Sequence, residues 1–177
     1  MTEPNRASQN EELVHWIRLA QDGDHQAFEQ VYRRTQALAR KVAFSVVSQN
    51  LVDDAVQESY LLAYRKFKQL KAPEAFLAWL CRIVLHTSQR MAKKNKSSLE
   101  LNTKRITRED QTEQTLDSLV LRQALSRLPQ KDRDVLITRD LLEFSYSEVA
   151  YILKIPITTV RSRLHKARKK LAQSLEL

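Results

Sequence analysis

Apolar residues recur at helical spacing almost from the start of the chain. Leu13, Trp16, Ile17 and Ala20 repeat at intervals of three and four, the pattern stops at Asp22-Gly23-Asp24, and it resumes with Ala27, Phe28, Val31 and Tyr32. The spacing predicts two helices joined by a tight turn, with Asp24 capping the second because its carboxylate can accept the unpaired amides of the first turn. A third helix is predicted from Val52-Asp53 onward, acidic in its first turn and carrying Ala55, Val56, Tyr60, Leu61 and Tyr64 as its apolar positions. Pro73 then punctuates the chain. The helix after it places Phe76, Trp79, Leu80, Ile83 and Thr87 on one stripe, which makes Trp79 a core residue. Arg82, His86, Gln89 and Lys93 recur at i, i+4, i+7 and i+11 on a different face.

From Lys93 to Glu113 the pattern fades. KKNKSSLELNTKRITREDQTE holds three Leu or Ile residues and no sustained stripe, so it is expected to be a linker. Leu116, Leu119, Val120, Ala124, Leu125 and Leu128 restore the helical period, Pro129 stops it, and a further helix is expected from Asp132 to Phe144. Ser145 and Glu148 form an S-x-x-E capping box, so a short helix starts at Tyr146 and turns Val149, Ala150, Ile152 and Leu153 inward. Pro156 can open a second helix, and the short connection between the two matches a helix-turn-helix. In that second helix Val160, Leu164, Ala167 and Leu171 fall in one narrow stripe. Thr158, Ser162, His165, Lys166 and Lys169 fall opposite it, with Arg161 and Arg168 on one flank and Arg163 and Lys170 on the other. The fold class is therefore all-α: two small helical domains, residues 1–95 and 115–177, joined by a flexible linker over 96–114, the second containing the helix-turn-helix.

Composition narrows the chemistry. Gly23 is the single glycine, which excludes the glycine-rich loops that let backbone approach a nucleotide phosphate. Cys81 is the single cysteine, so neither an intrachain disulfide nor a thiolate zinc site can form. His15, His25, His86 and His165 show no metal-ligand spacing, and no nucleophile with a base or carboxylate cluster stands out. No metal, no cofactor and no enzymatic activity are expected. The beginning of the sequence lacks a secretory pattern and no apolar run is long enough to span a bilayer, which points to the cytoplasm without membrane insertion.

Charge adds a partner. The net charge of +9 favours a polyanion, and the distribution is more telling than the total. Between Lys154 and Lys170 there are seven basic residues and no acidic one. Charge alone suits a solvated basic helix as well. The capping box and the second helix opened by proline favour a DNA reader, with Arg161 and Ser162 placed for base edges and Lys166, Arg168 and Lys169 for phosphates.

At these residues a family resemblance enters. SYSEVAYILKIPITTVRSRLHKARKKL, preceded by LRQALSRLPQKDRDVLITRDL, resembles the second DNA-binding region of bacterial sigma-70-type RNA polymerase sigma factors of the small extracytoplasmic-function group. GDHQAFEQVYRRTQALARKVA, VDDAVQESYLLAYRKF and FLAWLCRIV resemble successive parts of the first conserved domain of that group. The resemblance implies a factor that binds core RNA polymerase, recognises the minus-ten and minus-thirty-five elements of promoter DNA, assists melting and catalyses nothing. Residues 1–95 then correspond to sigma region 2. Within them Asp53, Asp54, Gln57 and Glu58 dock on the polymerase, Arg82, His86, Gln89 and Lys93 lie along the minus-ten element, and the loop from Leu70 to Ala75 sits near a base flipped from the melting strand. Residues 115–177 correspond to region 4, with Thr158, Arg161, Ser162, Arg163, His165, Lys166, Arg168 and Lys169 on the minus-thirty-five element. Factors of this group are often held by an anti-sigma protein. This sequence departs from the family at His86, usually Asn, at Arg90, where an acid is common, and at Lys154, where the turn usually has glycine. The alternative is a stand-alone helix-turn-helix regulator, which needs a dimerisation surface that the sequence does not display.

Overall fold

In the computed structural model, which describes residues 6–101 and 123–175, every regular element is helical and no strand occurs among those residues. The chain divides into two compact units, Met1–Thr103 and Lys104–Leu177.

The first unit contains α1 (Arg6–Gln21), α2 (His25–Phe44), α3 (Val52–Lys66) and α4 (Phe76–Leu101), with short 3-10 turns at Gln49–Leu51, Phe67–Gln69 and Pro73–Ala75. Gly23, at φ 103°, makes the left-handed turn between α1 and α2. Asp24 then caps α2, its Oδ1 accepting the amides of Gln26 at 2.8 Å and Ala27 at 3.1 Å. Small side chains take part in the core: Ala27, Ala39, Ala43, Ala55 and Ala63 are buried, as are Ile17, Val31, Phe76, Leu80 and Val84, and small residues allow close helix packing. One polar tie crosses this core. Thr35 Oγ1 donates to the Val31 carbonyl, which leaves the Tyr60 hydroxyl to donate to Thr35 Oγ1 at 2.8 Å. Burial pushes the Tyr60 phenol up to about 12.

The buried side of α4 is wider than its sequence stripe. Phe76, Ala78, Leu80, Cys81, Val84, Leu85, Thr87 and Ser88 are all covered, whereas Trp79 and Ile83 are half-buried on the edge of the outer face. Trp79 is therefore a flank residue; its ring leans on Phe76 with centroids 5.8 Å apart. The helix also continues through Leu101, past the onset of the polar segment, because nothing between Lys93 and Leu101 is a glycine or proline that would stop it. The rest of the expected linker and the residues from Leu116 to Val120 lie outside the described residues.

In the second unit, residues 123–126 are helical, and Arg133 Nη2 donates to the carbonyls of Ser126 and Leu128, both at 2.9 Å, binding that turn to α5 (Gln130–Leu136). The single helix expected to reach Phe144 ends sooner. After Leu136 the chain widens into a π turn at Ile137–Leu141, the Leu142 amide reaching back to Ile137 at 3.0 Å, and Glu143 adopts φ 59°. This bend turns Leu142 and Phe144 into the core. The capping box forms as its spacing predicts, with Glu148 Oε2 accepting the Ser145 amide at 2.7 Å and Ser145 Oγ accepting the Glu148 amide at 3.3 Å. It starts α6 (Tyr146–Leu153). The connection to α7 (Ile157–Leu175) passes through Lys154 at φ 53°, ψ 48°. Pro156 stands one position ahead of the helix, and its carbonyl accepts the Val160 amide at 3.0 Å. Val149, Ile152, Val160, Leu164 and Ala167 close the core of the helix-turn-helix with Val135.

Lys154 thus occupies a left-handed position where a Cβ is unfavourable. Lys154→Gly is expected to stabilise the second unit by about 1 kcal/mol in denaturant unfolding, since it relieves that backbone strain. Cys81 is buried in α4, and burial pushes its thiol up to about 12. A disulfide reagent at neutral pH is expected to leave the folded chain unmodified and to react as denaturant opens the first unit, at a rate that follows the loss of helical signal.

Candidate functional site

Three helix faces among the described residues carry the side chains singled out from the sequence. The first belongs to α3. Val52, Ala55, Val56, Ser59, Tyr60 and Ala63 are buried, and at about 100° per residue the outward arc runs from Asp53, Tyr64 and Gln57 through Leu61 and Asp54 to Glu58. The four expected docking residues therefore share this arc without forming one cluster. Asp53 turns toward α2 and pairs with Arg40; Glu58 turns toward α4 and pairs with Arg90. Asp54 and Gln57 are exposed on the arc between them.

Leu61 and Tyr64 lie outside the core, contrary to the apolar pattern, at 55% and 48% exposure. With Tyr32, Phe28, Val56 and Tyr60 they line an open groove between α2 and α3 whose rim carries Arg40, Asp53 and Gln57. Aromatic contacts support it: Phe28 meets Tyr64 edge-on at 4.9 Å and Phe67 at 5.2 Å, and the Tyr64 hydroxyl is 3.0 Å from His25 Nδ1. Exposed apolar side chains gathered in a groove with charged edges have the composition of a contact surface. The run of apolar residues along α3 hides it, although the helical turn carries Leu61 to the side opposite the buried Ser59 and Ala63.

The second face is the outer arc of α4. His86 and Lys93 are exposed, Arg82 and Gln89 are half-buried with contacts of their own, and Trp79 and Arg90 share the same arc. The helix thus presents an aromatic edge among basic and hydrogen-bonding side chains, a combination suited to nucleic acid. The turn that leads into α4 is pinned to α1. Gln21 Nε2 donates to the carbonyls of Phe67 and Leu70 at 3.2 and 2.7 Å, and Arg18 pairs with Glu74 at 3.0 Å. Leu70 is buried, while Lys71 and Ala72 form an exposed tip.

The third face is that of α7. Thr158, Ser162, His165, Lys166 and Lys169 are exposed opposite the buried Val160, Leu164 and Ala167. The flanks behave differently from the sequence expectation of an unrelieved positive face. Arg168 donates through both Nε and Nη2 to Asp140, at 2.9 and 2.7 Å, and Lys170 reaches Asp132 at 3.2 Å. The hydrogen bond to Asp140 raises the already high Arg168 pKa. Arg168 is therefore a brace between α7 and the turn after α5, Arg163 is half-buried, and Lys166 and Lys169 project from the open face without an acidic partner among the described residues. The acids come from positions 28 and 38 residues away, which local charge patterning cannot show.

Among the described residues no helix is long and apolar enough to cross a membrane. Comparison with known proteins gives two family matches in chain order: Sigma-70 region 2 over residues 28–98, which contains α3 and the outer face of α4, and Sigma-70 region 4 over residues 118–171, which contains the helix-turn-helix. The chain is 30% identical to the ECF RNA polymerase sigma-E factor of Salmonella typhimurium, over 86% of this chain and 88% of that protein. It is 27% identical to the protein of the same name from Haemophilus influenzae, over 90% and 93%. In fold it is similar to CnrH, solved in complex with the cytosolic domain of CnrY (24% identity, TM-score 0.73, 93% of this chain and 97% of that one). It is likewise similar to the sigma factor RpoE of Bartonella quintana, solved with the anti-sigma factor NepR (24% identity, TM-score 0.70, 85% and 97%).

The geometry of α7 separates its cations experimentally. Lys169→Ala is expected to lower the salt dependence of duplex DNA binding by about 0.9 in log–log slope, as one lost phosphate contact requires. Arg168→Ala is expected to leave that slope nearly unchanged and to lower the stability of the second unit by less than about 1 kcal/mol, the usual worth of an exposed pair.

Proposed function

Because this chain belongs to the sigma-70 family, as a factor of the extracytoplasmic-function type, we propose that its three open helix faces divide the work of initiation among polymerase docking, the minus-ten element and the minus-thirty-five element. The protein directs promoter-specific transcription initiation with RNA polymerase and is not an enzyme. The observation that carries the division is the placement of each matched region. Region 2 coincides with a helix face of acids and exposed apolar groups beside a basic, aromatic one, and region 4 with a helix-turn-helix whose second helix is basic on its open side. The region 2 match also disfavours a stand-alone helix-turn-helix regulator, which has no use for a polymerase-docking surface.

In this reading Asp53, Asp54, Gln57 and Glu58 meet basic groups on the polymerase, and Leu61 and Tyr64 add apolar contact at the centre of the same arc. The exposed pairs of Asp53 with Arg40 and Glu58 with Arg90 are no obstacle, since such pairs contribute at most about 1 kcal/mol and exchange for a better partner. Arg82, His86, Gln89 and Lys93 follow the minus-ten DNA, with the pinned turn before α4 beside the flipped base; flipping costs a few kcal/mol, which the new base contacts offset. On the minus-thirty-five element Arg161 and Ser162 read base edges near the start of α7, with Thr158 and His165 along the same groove. Lys166 and Lys169 contact phosphate. The two hydrogen bonds to Asp140 support a bracing role for Arg168, and half burial supports a flanking one for Arg163. A cytoplasmic location follows from the polymerase partner. An anti-sigma partner is supported by the RpoE fold neighbour, which was solved bound to one.

In vitro transcription by core polymerase with this chain, across a randomised promoter library, tests the reading directly. It is expected to yield two enriched DNA elements, and transcription that does not depend on this chain or shows no enrichment would refute it. Leu61→Ala is expected to weaken association with core polymerase by about five- to tenfold in a fluorescence titration, as truncating a central apolar contact does. Helical content and melting temperature should stay close to wild type, since Leu61 is exposed.

A further inference from the structure

Tyr146 opens α6, half-buried, and lies against two guanidinium groups. The Arg139 Cζ is 5.0 Å from the ring centroid and the Arg161 Cζ is 5.8 Å. Arg139 comes from the π turn after α5, where its Nη1 is fixed to the Phe144 carbonyl at 3.2 Å. Arg161 comes from the second turn of α7. One ring therefore joins the segment before the helix-turn-helix, its first helix and its second helix.

The kind of contact matters. A cation is attracted by the face of an aromatic ring, a contact that pairs none of its N–H donors with an oxygen acceptor. Arg168, two helical turns further along the same flank, shows the opposite arrangement, with Nε and Nη2 both occupied by Asp140. Arg161 makes no hydrogen bond among the described residues. Its side chain is thus held in place while its donors stay open. An exposed arginine without such support loses rotamer freedom each time it engages a base, and a ring contact that orders it beforehand lowers that loss.

We propose that Tyr146 is a specificity-determining positioning residue, whose ring holds Arg161 ready to donate two parallel hydrogen bonds to a paired acceptor edge. In the major groove that edge is guanine, through O6 and N7. The proposal rests on the reading of α7 as the helix that enters the minus-thirty-five element. Tyr146 itself need touch no base.

The test compares holoenzymes of the wild-type chain, Arg161→Ala, Tyr146→Phe, Tyr146→Leu and Tyr146→Gln on a promoter library randomised in the minus-thirty-five element. The wild type is expected to prefer guanine at one position, and Arg161→Ala to abolish that preference. Tyr146→Leu and Tyr146→Gln are expected to reduce it at the same position by about two- to fivefold, the range of an exposed cation–π contact. Preference elsewhere should persist, and Tyr146→Phe, which keeps the ring face, should behave as wild type. If Arg161→Ala loses the preference while either folded Tyr146 variant retains it in full, the proposal is overturned and the reading of α7 survives. If Arg161→Ala changes nothing, that reading of Arg161 fails and the proposal fails with it. Equal loss of transcription from every library member in the Leu and Gln variants would assign Tyr146 a role in folding alone and would also overturn the proposal.

Discussion

A helix that gives one arc of its surface to a core has only the complementary arc to offer a partner, and this division governs every contact surface of the chain. The width of the buried arc sets what is left. In α4 the core takes positions from Phe76 to Ser88 around much of the helix, and the remaining strip is narrow enough that Trp79 is drawn to its edge. In α7 only Val160, Leu164 and Ala167 are buried along its described core contact, so a broad face stays open and can lie in a groove while the helix remains seated. The alanines along α2 and α3 serve the same division, since close helix packing with small side chains leaves Tyr32, Leu61 and Tyr64 outside.

Charge is distributed by the same logic. A chain of net +9 places its acids where they support particular cations: Asp140 under Arg168, Asp132 under Lys170, Glu58 beside Arg90 and Asp53 beside Arg40. On the open face of α7, Lys166 and Lys169 have no such acid among the described residues, and they point away from the core. Geometry then distinguishes two kinds of arginine on one flank of α7. Arg168 commits Nε and Nη2 to Asp140, and Arg161 lies against the Tyr146 ring with no hydrogen bond to a described residue.

Much of this was legible in the sequence. Periodicity located the helices, Asp24 and the Ser145–Glu148 box marked two of their starts, and the narrow stripe of α7 identified its open side. The places where sequence reasoning failed share one cause: a local pattern shows which residues share a face, not what that face meets. Leu61 and Tyr64 continue the apolar run of α3 and still lie outside, because the seam it meets, filled by Ala55, Ser59 and Ala63, is on the side opposite Leu61. Trp79 fits the apolar stripe by spacing, yet the wide core of α4 is centred elsewhere. The braces at Arg168 and Arg90 depend on partners 28 and 32 residues away, beyond the reach of any helical repeat. The π turn after Leu136 has no sequence signal that periodicity would register, since it shifts the phase of a helix without a glycine or proline. Lys154 was legible as an anomaly, and the left-handed backbone at that turn supplies its physical meaning.

The seal around Cys81 also decides which stimuli can act on this chain directly. Thiol-directed oxidants need a thiolate within reach of solvent, and every reversible cysteine modification begins from one. Here the only thiol of the sequence faces the interior of the first unit and keeps its proton well above physiological pH. Peroxide, glutathione disulfide and nitrosating agents therefore find no sulfhydryl on the folded surface. A thiol-directed signal that changes transcription through this factor therefore has to open the first unit before it can reach Cys81.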